Sequence, residues 1–226
     1  METSQLLVNK FKAAVLSILL IIPFLSWNCS AGSAGIVNIG IAKDEVINYH
    51  KSGQYNNDLR EAIKDAEEKF NEVDAGPNSA VVFDIDETVI TSYEYYRKWD
   101  FGYVPKYFDM WVDSAKAPAI LPVLDLYNYL LKRNFRIIFI TGRKEYQYES
   151  TFNNLINAGY SKFDTLIVKG EEYSGKTAEK FKSDKRAELV EKGYTIAGTV
   201  GDQWSDLSGP YHGIQVKIPN YMYIIY

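Results

Sequence analysis

The sequence contains a single cysteine, Cys29, and only two histidines, His50 and His212. One thiol excludes an intramolecular disulfide and a thiolate-built metal site. No serine or cysteine motif makes either histidine a triad member, so both read as surface or loop residues. Basic residues are not in excess: 25 lysines and arginines stand against 29 aspartates and glutamates, a formal charge of −4. Without a basic stripe to neutralise a phosphate backbone, the composition argues against a nucleic-acid partner. Repeats and low-complexity tracts are lacking, and so is a long apolar run. The nearest candidate, residues 13–25, is broken by Ser17 and Pro23 and is too short to span a bilayer comfortably. What is present is a globular composition, 46% hydrophobic and 24% charged over 226 residues. That suffices for one well-cored domain with a small appendage.

Lys10 and Lys12 ahead of that apolar run give residues 1–28 the pattern of a signal peptide, excluded from the fold. The segment Leu25-Ser26-Trp27-Asn28-Cys29 resembles a relaxed bacterial lipobox. Cys29 is therefore the expected lipidated N-terminus of an exported, membrane-anchored protein, with plain secretion or an uncleaved anchor as alternatives. Membrane contact is expected only through this N-terminus. Residues 29–52, Gly-, Ser- and Asn-rich at first, read as a tether into a domain over 53–226.

Leu59, Ile63, Ala66 and Phe70 recur near the helical period, so residues 55–73 are expected to form an amphipathic helix stopped by Gly76-Pro77. Strand and helix patterns then alternate. Short apolar runs at 80–83, 135–140, 166–168, 194–200 and 214–218 read as strands. Segments marked by Leu121, Leu124, Tyr127 and Leu131, then 144–158 and 177–192, read as helices. Such a series predicts a three-layer, Rossmann-like α/β domain around a parallel sheet. Residues 91–117, dense in aromatics, do not fit a plain crossover and read as a small cap insertion over the strand ends. Its aromatics either form the cap's own core or, through Tyr93, Tyr96 or Trp111, stack on an aromatic leaving group.

The chemistry concentrates where strands stop. Asp84 ends the first apolar strand, and Asp86, two residues on, points the same way in extended backbone. Strand ends of a parallel sheet open onto the ligand crevice. Thr141-Gly142-Arg143 ends a second strand, and Asp202 and Asp206 follow a fourth. Converging carboxylates would repel one another without a hard cation, and an oxygen-only ligand set points to Mg²⁺. Lys182, Lys185 and Arg186 on the intervening helix supply cations for a phosphate.

Four stretches in order carry a family resemblance: Asp84-Ile85-Asp86-Glu87-Thr88, Ile140-Thr141-Gly142-Arg143, Lys182-Ser183-Asp184-Lys185-Arg186, and Gly201-Asp202-Gln203-Trp204-Ser205-Asp206. They resemble the motifs of the haloacid dehalogenase (HAD) superfamily. The acid phosphatase branch is the most similar, with its class C lipoprotein phosphatases, plant acid phosphatases and vegetative storage proteins. Residues 111–119 and 216–220 are also similar to the plant members, and the likeness spans about 45–226. The resemblance implies that Asp84 is a nucleophile and Asp86 the acid/base. It implies phosphate binding by Thr141, Gly142 and a lysine, Lys182 or Lys185. It also implies a magnesium site of Asp84, the Asp86 carbonyl, Asp202 and Asp206. The activity so implied is hydrolysis of small phosphomonoesters, aryl phosphates or nucleotides among them. A phosphotransferase or a non-catalytic storage protein on the same fold is the alternative.

Residues 170–177, Gly-Glu-Glu-Tyr-Ser-Gly-Lys-Thr, satisfy the P-loop pattern. Glu171 and Glu172 would place two negative charges where phosphates should be cradled, and too little chain follows for a nucleotide-hydrolase core. The match is set aside.

Overall fold

The computed structural model describes residues 36–225. The leader expected over 1–28, Cys29 and the first part of the tether lie outside them. Helix α1 (Ile39–Lys51) opens the domain. It occupies much of the stretch expected to be a tether. Asn38 caps its N-terminus by accepting from the Gly40 N–H at 2.9 Å. Tyr49 and His50 hold it against the domain through aromatic contacts with Tyr55, Tyr93 and Tyr221. Tyr93 and Tyr221 are distant in sequence, so a local reading sees only a weakly amphipathic, Gly-bearing segment. Gly53, at φ 84, turns the chain into α2 (Gln54–Asn71), whose buried stripe is Leu59, Ile63, Ala66 and Phe70, as the spacing predicts.

The remaining elements are β1 (Ser79–Phe83), α3 (Tyr93–Lys98), α4 (Pro105–Asp113), α5 (Leu121–Lys132), β2 (Arg136–Lys144), α6 (Tyr148–Asn157), β3 (Thr165–Lys169), α7 (Ala178–Glu191), β4 (Thr195–Gly201), α8 (Trp204–Leu207) and β5 (Ile214–Lys217). All five strands are parallel, in the order β3-β2-β1-β4-β5. Alternate residues of the strands feed two cores. Val81, Phe83, Ile137 and Phe139 pack with α2 and α5, while Ala80, Val82, Ile138 and Ile140 pack with Phe181 and Leu189 of α7. This is the α/β three-layer fold expected.

One helix face differs from expectation. Helix α5 buries Val123, Leu126, Tyr127 and Leu130 and leaves Leu121 exposed. Its sequence is apolar nearly all round, so periodicity alone leaves its orientation open, and the docking site chooses it. Among the described residues no helix is long and apolar enough to cross a membrane.

The strand order fixes where a ligand can go. Connections from β1 lead to β2 on one side and, later, from β3 across to β4 on the other. The loops after β1 and β4 therefore diverge around a crevice. The residues expected to form a cap supply α3 and α4. The root of that segment is tied to the first motif. Buried Glu87, at φ 56, accepts from the Ser92 N–H at 2.6 Å and the Thr91 hydroxyl at 2.9 Å. Ser92 Oγ in turn accepts from Trp111 Nε1 at 2.9 Å.

Candidate active site

Asp84 follows the last residue of β1, and its N–H donates to Val200 O of β4 at 2.9 Å. That bond pulls the first and fourth strand ends together. Gly201 ends β4 because a side chain there would strike Asp206, whose Cβ would lie 2.4 Å from the added atom. One ligand oxygen each from buried Asp84, Asp202 and Asp206 lies within 4.8 Å of the others.

The cluster is held by a dense set of bonds. Lys182 donates to Asp84 Oδ1 and to Asp206 Oδ1. The Thr88 hydroxyl lies 3.2 Å from Asp84 Oδ2 and 3.1 Å from Asp202 Oδ1, and accepts from the Asp202 N–H at 3.0 Å. Asp202 Oδ2 accepts from Gln203 Nε2 and from Asn220 Nδ2, the latter at 2.7 Å. Asp206 Oδ2 accepts from the Gln203 N–H at 2.9 Å.

Burial dominates the electrostatics. It raises Asp84 well above the usual carboxylate range, with Lys182 opposing and Asp206 and Asp202 adding to the rise. Asp202 is pushed up to about 7 by burial and by Asp206. For Lys182 burial disfavours the ammonium, but Asp206 and Asp84 outweigh it and hold the group above its ordinary value. An all-oxygen set of three buried carboxylates is the donor chemistry of a hard divalent cation, so these residues fit one.

Asp86 faces the same cavity but is held separately. Arg143 donates from Nε to Oδ2 at 2.9 Å and from Nη2 to Oδ1 at 2.7 Å, while its Nη1 reaches Thr151 Oγ1 at 3.2 Å. Asp84, Asp86, Thr141, Gly142, Lys182, Asp202 and Asp206 all line one cavity of about 620 Å³. That volume admits an organic phosphate, not only the inorganic ion.

Several expected residues fall elsewhere. Lys185, one turn beyond Lys182, turns away from the cavity and donates to Glu188 at 2.9 Å. Arg186 is fully buried and braces the loop after β4 by donating to the carbonyls of Asp206, Ser208 and Pro210. Of the three aromatics expected to stack on a substrate, only Tyr96 lines the cavity. Tyr93 stacks on His50 at 4.0 Å, and Trp111 is taken up by Ser92. His50 is accordingly not a loop residue but part of a sandwich between Tyr55 and Tyr93.

The structure adds residues that sequence reasoning gave no role. Phe101, Tyr103 and Phe108, from residues 91–117, line the cavity with Tyr96, as do Tyr223, Ile224 and Ile225. Tyr223 packs on Tyr96 at 5.1 Å, and the Ile225 N–H donates to Gln203 Oε1 at 3.0 Å. Arg143 and Thr88 stand inside recognised motifs, which signalled them without giving a function. For Tyr223 no local signal exists.

Comparison with known proteins gives the family and the fold. The family model for HAD superfamily, subfamily IIIB (acid phosphatase) matches residues 16–226. The chain is 37% identical to "Acid phosphatase 1" of Solanum lycopersicum, over 80% of this chain and 74% of that protein. It is 33% identical to the "Stem 28 kDa glycoprotein" of Glycine max (88% and 83%) and 30% identical to "Vegetative storage protein 2" of Arabidopsis thaliana (88% and 79%). A class C acid phosphatase from Bacillus anthracis, solved with tungstate bound, shares the fold at a TM-score of 0.68 and 22% identity, covering 82% of this chain and 85% of that one. The chain belongs to the HAD superfamily, in subfamily IIIB, the acid phosphatase family.

Proposed function

We propose that the protein hydrolyses small phosphomonoesters through an aspartyl-phosphate formed on Asp84, with Mg²⁺ as cofactor. The observation that carries this is the placement of Asp84 against Lys182, Asp202 and Asp206, with Asp86 on the same cavity. An Asp84 carboxylate oxygen attacks phosphorus, and the bond from phosphorus to the leaving oxygen breaks as Asp86 delivers a proton to that oxygen. Asp86 then takes a proton from water, whose oxygen displaces Asp84 and releases inorganic phosphate. Thr141 and the backbone N–H groups around Gly142 orient the phosphoryl oxygens, and Lys182 offsets their charge. Asp84, Asp202, Asp206 and the Asp86 carbonyl would hold Mg²⁺, which would act as a Lewis acid on the phosphate.

Phenyl phosphate assayed with Mg²⁺, with chelator and with Asp84→Asn tests the reading. Turnover that needs the metal and disappears in Asp84→Asn supports it. A folded, metal-loaded protein inert towards phenyl phosphate and nucleotides would instead favour a storage role, which the names of two relatives suggest for those proteins. A phosphorylated product formed with an acceptor alcohol would mark a phosphotransferase. We also propose export, supported by the 1–28 pattern and by relatives named as glycoproteins. Palmitate labelling that is lost in Cys29→Ser would establish lipidation, and unlabelled secreted protein would exclude it.

A further inference from the structure

The P-loop-like stretch set aside above contributes to this cavity in another way. Lys169 ends β3 opposite Lys144 of β2, and Lys169 Nζ donates to the Lys176 carbonyl at 2.9 Å. Lys144, Lys169 and Lys176 all line the cavity that holds Asp84, whereas Glu171 and Glu172 of the P-loop-like stretch are not in its lining. Nearby cations are neutralised by the protein itself: Arg143, Lys180, Lys182 and Lys185 each lie within 4.0 Å of a carboxylate. No such partner exists for Lys144, Lys169 or Lys176 among the described residues. The Lys144 ammonium instead lies over the Tyr146 ring, 5.5 Å from its centroid. Asp109 also lines the cavity, but its carboxylate is taken up by Tyr146 Oη at 3.2 Å and Gln147 Nε2 at 3.0 Å.

Three cations grouped on one side of a cleft concentrate positive potential there. On the phosphatase reading the phosphoryl group undergoing transfer is met by Thr141, Gly142 and Lys182 at the Asp84 end of the cavity, which leaves these three lysines without a part in that step. Lys144 follows Thr141 across an irregularity in β2, where Thr141 faces Val168 and Lys144 faces the next residue of β3, Lys169. The cavity of about 620 Å³ that Thr141 shares with the three lysines leaves room for a ring between two anions, with Tyr96 and Phe108 also in its lining.

We propose that Lys144, Lys169 and Lys176 form a second anion subsite. The preferred substrate is then a phosphomonoester whose leaving group carries a further phosphate or carboxylate. This rests on the phosphatase reading for its catalytic consequence, though not for binding.

The test compares phenyl phosphate, 4-carboxyphenyl phosphate and 1,4-phenylene bisphosphate as substrates of the wild type, Lys169→Ala/Lys176→Ala and Lys176→Glu. In the wild type, kcat/KM is expected to favour one or both doubly anionic substrates, and which one identifies carboxylate or phosphate as the second group. In both variants that preference should fall about tenfold and lose its salt sensitivity, as for paired solvated charges. A preference unchanged in the variants would overturn the proposal. Titrating the same three compounds into Mg²⁺-loaded Asp84→Asn protein, with and without the lysine substitutions, reads the subsite without turnover. Failure to hydrolyse phenyl phosphate would thus sink the catalytic reading alone. Equal affinities with and without the lysines would sink the subsite.

Discussion

Arg143 grips both carboxylate oxygens of Asp86, at 2.9 and 2.7 Å, from a buried position at the end of the neighbouring strand. A planar fork of this kind fixes the plane and the distance of the carboxylate together. Arg143→Lys keeps the charge and loses the fork. A misplaced proton donor is expected to lower kcat by about 10²-fold. Steady-state kinetics should show the loss in kcat more than in KM, and a loss confined to KM would contradict a positioning role.

Asn220 donates to Asp202 at 2.7 Å from a loop beyond β5. Asn220→Ala removes one of the two amide donors on that oxygen. Outer partners of metal ligands are worth about 10–100-fold in metal affinity. Calorimetric titration of the metal-free protein with Mg²⁺ should show a drop of this size.

Asp202 sits at about 7 in the folded protein, against an ordinary 3.8 when unfolded. The folded state therefore holds a proton that the unfolded chain has released between these values, and stability falls as pH rises from about 4 towards 7. In chelator the melting temperature should decline over that interval. Mg²⁺ should raise it more at pH 8 than at pH 5, and an equal rise at both would contradict the account.

His50 has the opposite sign. Burial between Tyr55 and Tyr93 lowers it from 6.5 to about 4, so the unfolded chain binds a proton first. Its contribution to stability is complete above pH 6.5 and is lost as pH falls towards 4. His50→Phe keeps a stacking ring and removes the titration. With Mg²⁺ saturating, the variant should show a shallower loss of melting temperature between pH 6.5 and 4 than the wild type.

Tyr96 and Trp111 should separate cleanly. Tyr96→Ala opens the cavity wall and is expected to raise KM for phenyl phosphate several-fold, because offset ring contacts are worth about 0.5–1.5 kcal/mol. Trp111→Phe removes the donor to Ser92 and should cost about 1 kcal/mol of stability with little change in KM. Chemical denaturation and kinetics on both variants would decide it.

The sequence alone determined the strands, the three-layer class and the carboxylates Asp84, Asp86, Asp202 and Asp206. Each of those signals is local: an apolar run of strand length, then an acid where it stops. Tertiary structure decided everything that depends on how a helix is rotated or what approaches from far along the chain. Lys182 and Lys185 are three residues apart on α7, and only the docking of Phe181 and Leu189 under the sheet turns Lys182 inward. That buried face carries Lys182 and Arg186, so the helix shows little amphipathic pattern to read. The many aromatics of residues 91–117 look alike in sequence. Which of them lines the cavity follows from packing: His50 takes Tyr93, Ser92 takes Trp111, and Tyr223, about 130 residues on, comes to rest on Tyr96. Helix α1 escaped a local reading for the same reason, since its stabilising contacts are made with rings that its own sequence does not contain.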